Sequence, residues 1–90
     1  MSDASATIQI TNSQGLHVKT SAILAKTAIR FRSELRIEYS GHTVNARSAV
    51  ELIALDAGPG AQITITANGP DARDAVAAIR KLFEDKFGED

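Results

Sequence analysis

The sequence predicts one α/β domain, a two-layer sandwich in which helices cover a sheet. Three observations carry this expectation. Segments of period-two alternation take turns with segments of helical spacing, in the order β-α-β-β-α-β-α. Ninety residues are too few for two ordinary cores and enough for one. Alanine supplies 15 of the apolar residues, so the larger core side chains are mainly Ile, Leu and Val. They suffice to fill one interface and leave little room for a deep substrate cavity.

The elements follow in order. Thr7 to Asn12 alternates, with Ile8 and Ile10 on one side, and predicts the first strand. Asn12 to Gly15 is a turn. Leu24, Ala25, Ala28 and Phe31 recur at helical spacing, so a helix is expected from Val18 or Lys19 to about Phe31. Leu35, Ile37 and Tyr39 alternate with Glu34, Arg36 and Glu38, and Ser40-Gly41 turns that strand into a short third one over His42 to Asn45. Ser48-Ala49-Val50-Glu51 has the form of a capping box and starts a short helix ending near Leu55. Gly58-Pro59-Gly60 is a loop, and Ala61 to Ala67 alternates again. Pro70 suits a first helical position, and Asp71 and Asp74 favour a helix N-terminus. Ala72, Ala75, Val76, Ile79, Leu82 and Phe83 form the apolar stripe of a last helix that frays after Phe87. The expected domain is 1–90, with an ordered core of about 7–87.

Composition excludes several function classes. The absence of cysteine removes disulfides, thiolate metal sites and cysteine nucleophiles, and two histidines far apart make a zinc site unexpected. No apolar run approaches the roughly 20 residues that span a bilayer, and Met1 to Ala6 lacks the features of a secretory leader, so neither membrane nor export is expected. The formal charge of −1 argues against a nucleic-acid binder, but it is unevenly spread. From His17 to Arg47 six basic residues face two acidic ones, a local +4, and the remainder carries −5. No G-x-S-x-G, H-E-x-x-H or Walker motif is present, so a free-standing enzyme is not expected. An RNA-recognition fold shares part of the element order, but it stacks bases on strand aromatics, and Tyr39 is the single strand aromatic here. His42 reads as surface, and Glu34 and Glu38 as a solvated strand face.

The candidate site is His17. Gly15-Leu16-His17 lies at a turn-to-helix junction, where unpaired N–H groups and the helix dipole favour an anion. That field suits an imidazole carrying a phosphoryl group better than one binding a metal cation. Neutral imidazole would attack phosphorus, first-turn N–H groups would hold the phosphate, and Lys19 would add a charge. Position alone leaves open a histidine that merely packs the turn.

From about Thr7 to Phe83 the chain resembles the HPr phosphocarriers of the bacterial phosphoenolpyruvate-dependent sugar phosphotransferase system. The resemblance is carried by Gly15-Leu16-His17, Glu38-Tyr39 with Gly41, Val44-Asn45-Ala46-Arg47-Ser48, and Gly58-Pro59-Gly60-Ala61, in that order. It implies an open-faced sandwich, a four-stranded antiparallel sheet with three helices on one face. It also implies that His17 is phosphorylated at Nδ1 by enzyme I and passes the group to a IIA component. The protein would then be a monomeric, cytoplasmic phosphotransfer intermediate that needs no cofactor or metal.

The family pattern Gly-Leu-His-Ala-Arg-Pro-Ala reads here Gly15, Leu16, His17, Val18, Lys19, Thr20, Ser21. Lys19 keeps a charge without the planar fork of arginine. Thr20 supplies a backbone N–H to phosphate that proline lacks and gives up a rigid φ. Val18 adds β-branched bulk beside the imidazole. These changes bear on phosphohistidine lifetime and partner choice and leave the nucleophile in place.

Ser48 needs no role beyond capping its helix, which is worth about 1 kcal/mol. The resemblance places it where some relatives are phosphorylated by an HPr kinase/phosphorylase, with Arg47 adjacent to pair with the phosphate. Helical spacing puts Lys19, Ile23, Lys26 and Arg30 on one face. The resemblance maps the partner surface to Ala22, Lys26, Ile29, Ala49, Val50 and Ile53, with Val50 smaller than the Phe, Met or Leu often found there. A second reading keeps the HPr shape but leaves His17 idle, so that Ser48 phosphorylation and protein docking are the function.

Overall fold

The computed structural model describes residues 2–88, and Met1, Glu89 and Asp90 of the expected 1–90 domain lie outside the described residues. The strands are β1 (Ser2–Gln9), β2 (Glu34–Tyr39), β3 (His42–Asn45) and β4 (Gln62–Gly69), and the helices are α1 (Val18–Ala28), α2 (Ala49–Ala54) and α3 (Ala72–Glu84), followed by a 3₁₀ turn over Lys86–Gly88. The sheet order is β1-β4-β2-β3 and every neighbouring pair is antiparallel. Because β1 and β2 both run opposite to β4, they are parallel to each other. The link between them must cross the sheet, and α1 makes that crossing. By the same logic α2 carries the chain from β3 to the parallel β4.

Alternation decides which face is covered. Leu35 and Ile37 of β2 and Ile63, Ile65 and Ala67 of β4 are buried, whereas Glu34, Arg36, Glu38 and Gln62 face solvent. Against the apolar face lie Leu24 and Ala28 of α1, Leu52 of α2, and Ala72, Ala75, Val76, Ile79 and Phe83 of α3. Each fully buried Leu, Ile or Phe contributes about 1.5–3 kcal/mol, so this single interface holds the domain together. The expected open-faced sandwich is the observed fold.

Several boundaries differ from the expectation: β4, expected over Ala61 to Ala67, is Gln62–Gly69, carried on by its pairing with β1, and α3, expected to fray after Phe87, ends at Glu84. β1 was expected over Thr7 to Asn12 and instead runs from Ser2, paired with Gly69, to Gln9, paired with Gln62. Its core-facing residues at the start are Ala4 and Ala6, too small to mark a strand by hydropathy. Pairing with β4 specifies them. At the other end Ile10 leaves the ladder for the loop, donating to Ala61 O and accepting from Gly60 N, each at 2.8 Å. α1 stops at Ala28 rather than near Phe31, so Arg30 lies beyond the helix that was expected to present it. The following loop is pinned from afar: Asp71 accepts from Arg32 N and Ser33 N, both at 2.9 Å, and from Ser33 Oγ at 2.6 Å.

That use of Asp71 also displaces the start of α3. Pro70 precedes the N-cap, Asp71, whose carboxylate caps no helix N–H because it is committed to the α1–β2 loop. Three hydrogen bonds to a carboxylate favour its charged form, and Ser33 Oγ followed by Arg32 N–H holds the Asp71 carboxyl below its ordinary value. At the far end Phe87 turns back with a φ of 53° and packs its ring edge-on against Phe83, 4.8 Å between centroids. The Ser40-Gly41 hairpin is as expected, with positive φ at both residues (53° and 81°), the handedness a two-residue hairpin requires.

Candidate functional site

His17 is the N-cap of α1, in extended backbone conformation. Its Nδ1 accepts a hydrogen bond from Lys19 N at 3.3 Å, and the Thr20 backbone N–H also donates to the imidazole. A ring nitrogen that accepts is unprotonated, which places the proton of the neutral ring on Nε2. Nδ1 therefore points its lone pair at the N-terminus of the helix, in the region where the dipole and the first-turn N–H groups favour negative charge. An imidazole so placed can attack an electrophile and hold the resulting anion with the same donors.

The approach to His17 is fixed by a tight turn. Gly15 has a φ of 65°, and a Cβ there would lie 2.7 Å from Gly58 Cα, so the turn is pressed against the loop before β4. Leu16, buried, donates from its N–H to Ala57 O at 2.9 Å. Asn12 Nδ2 donates to Gly15 O at 2.9 Å. The Thr20 hydroxyl donates to the same carbonyl at 2.7 Å and accepts from His17 N at 3.0 Å. Sequence reasoning considered only the backbone N–H of Thr20. The missed signal was His17-x-x-Thr20, a capping-box spacing with Thr in the place of Glu or Gln.

The other expected residues fall into two groups. His17, Lys19 and Thr20 come together at the start of α1: His17 is half-buried, the Lys19 side chain is exposed and Thr20 is fully buried. Ser48 and Arg47 stand at the start of α2, which packs against α1. Ser48 Oγ accepts from Glu51 N at 3.2 Å, but the reciprocal half of the expected capping box is absent. Glu51 Oε1 instead accepts from Asn45 N at 3.1 Å, because the Ser48 N–H is already given to Asn45 O at 3.0 Å. Arg47 was expected beside a phosphate on Ser48. Its guanidinium donates instead to Phe31 O and to Ser33 O, so it is committed to the α1–β2 loop.

The partner surface also sorts by burial. Ile29, Val50 and Ile53 are large exposed apolar residues, at 63%, 77% and 37%, and Ala22 and Lys26 are exposed with them. Ile23 and Ala49 are half-buried against the core and present less surface. Val18, beside His17, is 70% exposed as well, an apolar surface that sequence reasoning treated only as bulk near the imidazole. Two surface depressions of about 220 Å³ lie elsewhere, one along β2 and β3 and one at the start of α3, and His17 lines neither. Among the described residues no helix is long and apolar enough to cross a membrane.

A half-buried imidazole at a helix terminus beside the exposed Val18, lining neither depression, fits the class of small domains that meet other proteins as whole surfaces. The comparisons give that class its family. The family described as the PTS HPr component phosphorylation site matches residues 4–85. A phosphocarrier protein HPr of Treponema pallidum is 33% identical over 84 residues, covering 93% of this chain and 96% of that one. Another, of Xylella fastidiosa, is 35% identical over 83 residues, 92% and 93% of the two chains. Among solved structures, HPr-C-His from Thermoanaerobacter tengcongensis superposes with a TM-score of 0.93 at 34% identity, covering 97% of this chain and 98% of that one. The chain belongs to the HPr family of phosphocarrier proteins of the phosphotransferase system.

Proposed function

We propose that His17 accepts a phosphoryl group on Nδ1 from phosphorylated enzyme I and passes it to a IIA component. The observation that carries this reading is the His17 Nδ1 directed at the first turn of α1, where it accepts from Lys19 N. In the first step Nδ1 bonds to phosphorus as the bond from phosphorus to its donor atom on enzyme I breaks; the donor atom takes up a proton and Nε2 gives one to solvent, so that the ring is neutral and the phosphoryl group carries the negative charge. The second step reverses this toward the acceptor. Between them the N–H groups of Lys19 and Thr20 turn from the ring nitrogen to the phosphate oxygens, and the Lys19 ammonium adds its charge.

Docking is assigned to Ala22, Ile29, Val50 and Ile53 with Lys26 at their side, and Ile23 and Ala49 support them from below. Exposed apolar side chains interleaved with cations suit an acidic partner surface with an apolar centre. Ser48 is assigned to regulation by an HPr kinase/phosphorylase: a phosphate there would add negative charge next to the docking residues Ala49 and Val50, and Arg47 would leave Phe31 O to meet it. The protein acts as a cytoplasmic monomer in this reading.

Incubation with phosphoenolpyruvate and enzyme I is expected to give an acid-labile phosphoprotein, with the label lost in His17→Ala. Absence of label, or label that survives that substitution, overturns phosphotransfer through His17. Regulation through Ser48 and docking would then remain as the function.

A further inference from the structure

The family pattern places proline where this chain has Thr20, and the structure shows what the threonine does there. Its hydroxyl has one proton and two lone pairs. The proton goes to Gly15 O at 2.7 Å rather than to His17 O at 3.5 Å, and a lone pair receives His17 N–H at 3.0 Å. The residues before and at the nucleophile are thus clipped to one buried atom. Gly15 O is anchored a second time by Asn12 Nδ2, so the clip has a fixed base. Thr20 also brings a backbone N–H, which donates to the imidazole together with that of Lys19. Proline would offer neither the hydroxyl nor the N–H.

We propose that Thr20 is a positioning residue for His17: where the family's proline holds the turn by its fixed φ, the Thr20 hydroxyl, bridging Gly15 O and His17 N–H, holds it by hydrogen bonds, so that Nδ1 and not Nε2 faces the helix N-terminus and is the nitrogen phosphorylated. This rests on the reading of His17 as a phosphoryl acceptor. A group that only capped the helix would change stability. A positioning group also changes the ring nitrogen used, because without the clip the His17 backbone can shift and present Nε2.

The test uses the full chain and phosphoramidate, a small donor that requires no partner protein. The attacking ring nitrogen forms its bond to phosphorus as the P–NH₂ bond breaks, the departing nitrogen takes up a proton and leaves as ammonia, and the ring loses a proton from its other nitrogen. Wild type, Thr20→Val and Thr20→Ser are compared by the initial rate of labelling and by NMR assignment of the phosphorylated nitrogen. Wild type and Thr20→Ser are expected to be labelled at Nδ1. Thr20→Val removes two hydrogen bonds at unchanged shape and is expected to lose about tenfold in the rate at Nδ1, with the Nε2 share rising. A folded Thr20→Val with the wild-type rate and nitrogen overturns the proposal.

Should Thr20→Val fail to fold, the imidazole ¹⁵N spectrum of the unlabelled wild type decides: a protonated Nδ1 overturns the proposal, and a proton on Nε2 supports it. Wild type that takes no label on His17 from either phosphoramidate or enzyme I defeats the acceptor reading itself, whereas the tautomer measurement still reports on the clip.

Discussion

Replacing Gly15 by alanine tests how the site is held, and the structure supplies its control. Gly15 has a φ of 65°, and an added Cβ would stand 2.7 Å from Gly58 Cα and 2.9 Å from Gly58 C. Those atoms are backbone and cannot rotate away. Gly41 has a φ of 81° with nothing within 4 Å of its Cβ position. Holding a left-handed conformation without glycine costs about 1–2 kcal/mol at either position. The overlap with the Ala57–Gly58 loop adds about 1–3 kcal/mol at Gly15 alone, as backbones are pushed apart. Gly15→Ala is therefore expected to lose about 3 kcal/mol and Gly41→Ala about 1 kcal/mol in urea unfolding, with unchanged m-values. For a domain of this size the first corresponds to a fall of about 12–24 °C in Tm and the second to about 4–8 °C. Equal losses in the two variants would refute the close approach, since backbone conformation would then explain both. Because Gly15 O carries the hydrogen bonds from Asn12 and Thr20, the His17 amide resonance should move in Gly15→Ala and stay in Gly41→Ala.

Two further outcomes are expected. The folded chain holds the Asp71 carboxyl below its ordinary value, through Ser33 Oγ and then Arg32 N–H, so the stability it contributes is complete above the unfolded value and is lost as pH falls through the folded one. Thermal melts of Asp71→Asn should lie below wild type at pH 7 and converge with it in acid; a gap that does not change with pH would mean that the carboxylate's charge contributes nothing. Ser21 stands where the family pattern has alanine, fully buried, with an Oγ that finds no partner among the described residues. Ser21→Ala should stabilise the protein by about 1 kcal/mol or more in urea unfolding, since an unpaired buried hydroxyl is removed, and a loss of stability would show that the hydroxyl is paired.

Much of the fold is legible in the residues. β2 and β4 have Ile and Leu at alternate positions, and α3 has its stripe from Ala72 to Phe83, so hydropathy alone gives their type and their buried side. Ser40-Gly41 gives the hairpin because few residue pairs accept two positive φ values. Where side chains are small or polar the pattern goes silent. Ala4 and Ala6 belong to β1 because β4 pairs with them. α1 ends in tightened turns, Arg30 N to Thr27 O and Phe31 N to Ala28 O, and Asp71, 38 positions beyond Ser33, holds the loop that follows.

The site divides in the same way. A glycine, a histidine and a basic region before a helix were enough to single out His17, since the anion preference of a helix terminus is a property of the backbone and needs no tertiary partner. The direction of the Nδ1 lone pair, the Thr20 clip and the commitment of Arg47 to Phe31 and Ser33 were decided only by the folded chain. Hydrogen bonds such as these depend on angles and distances between groups that the sequence places but does not aim. Local spacing singled out His17 as the candidate nucleophile, and the folded turn, held against the Ala57–Gly58 loop, decided which of its two nitrogens faces the helix N-terminus.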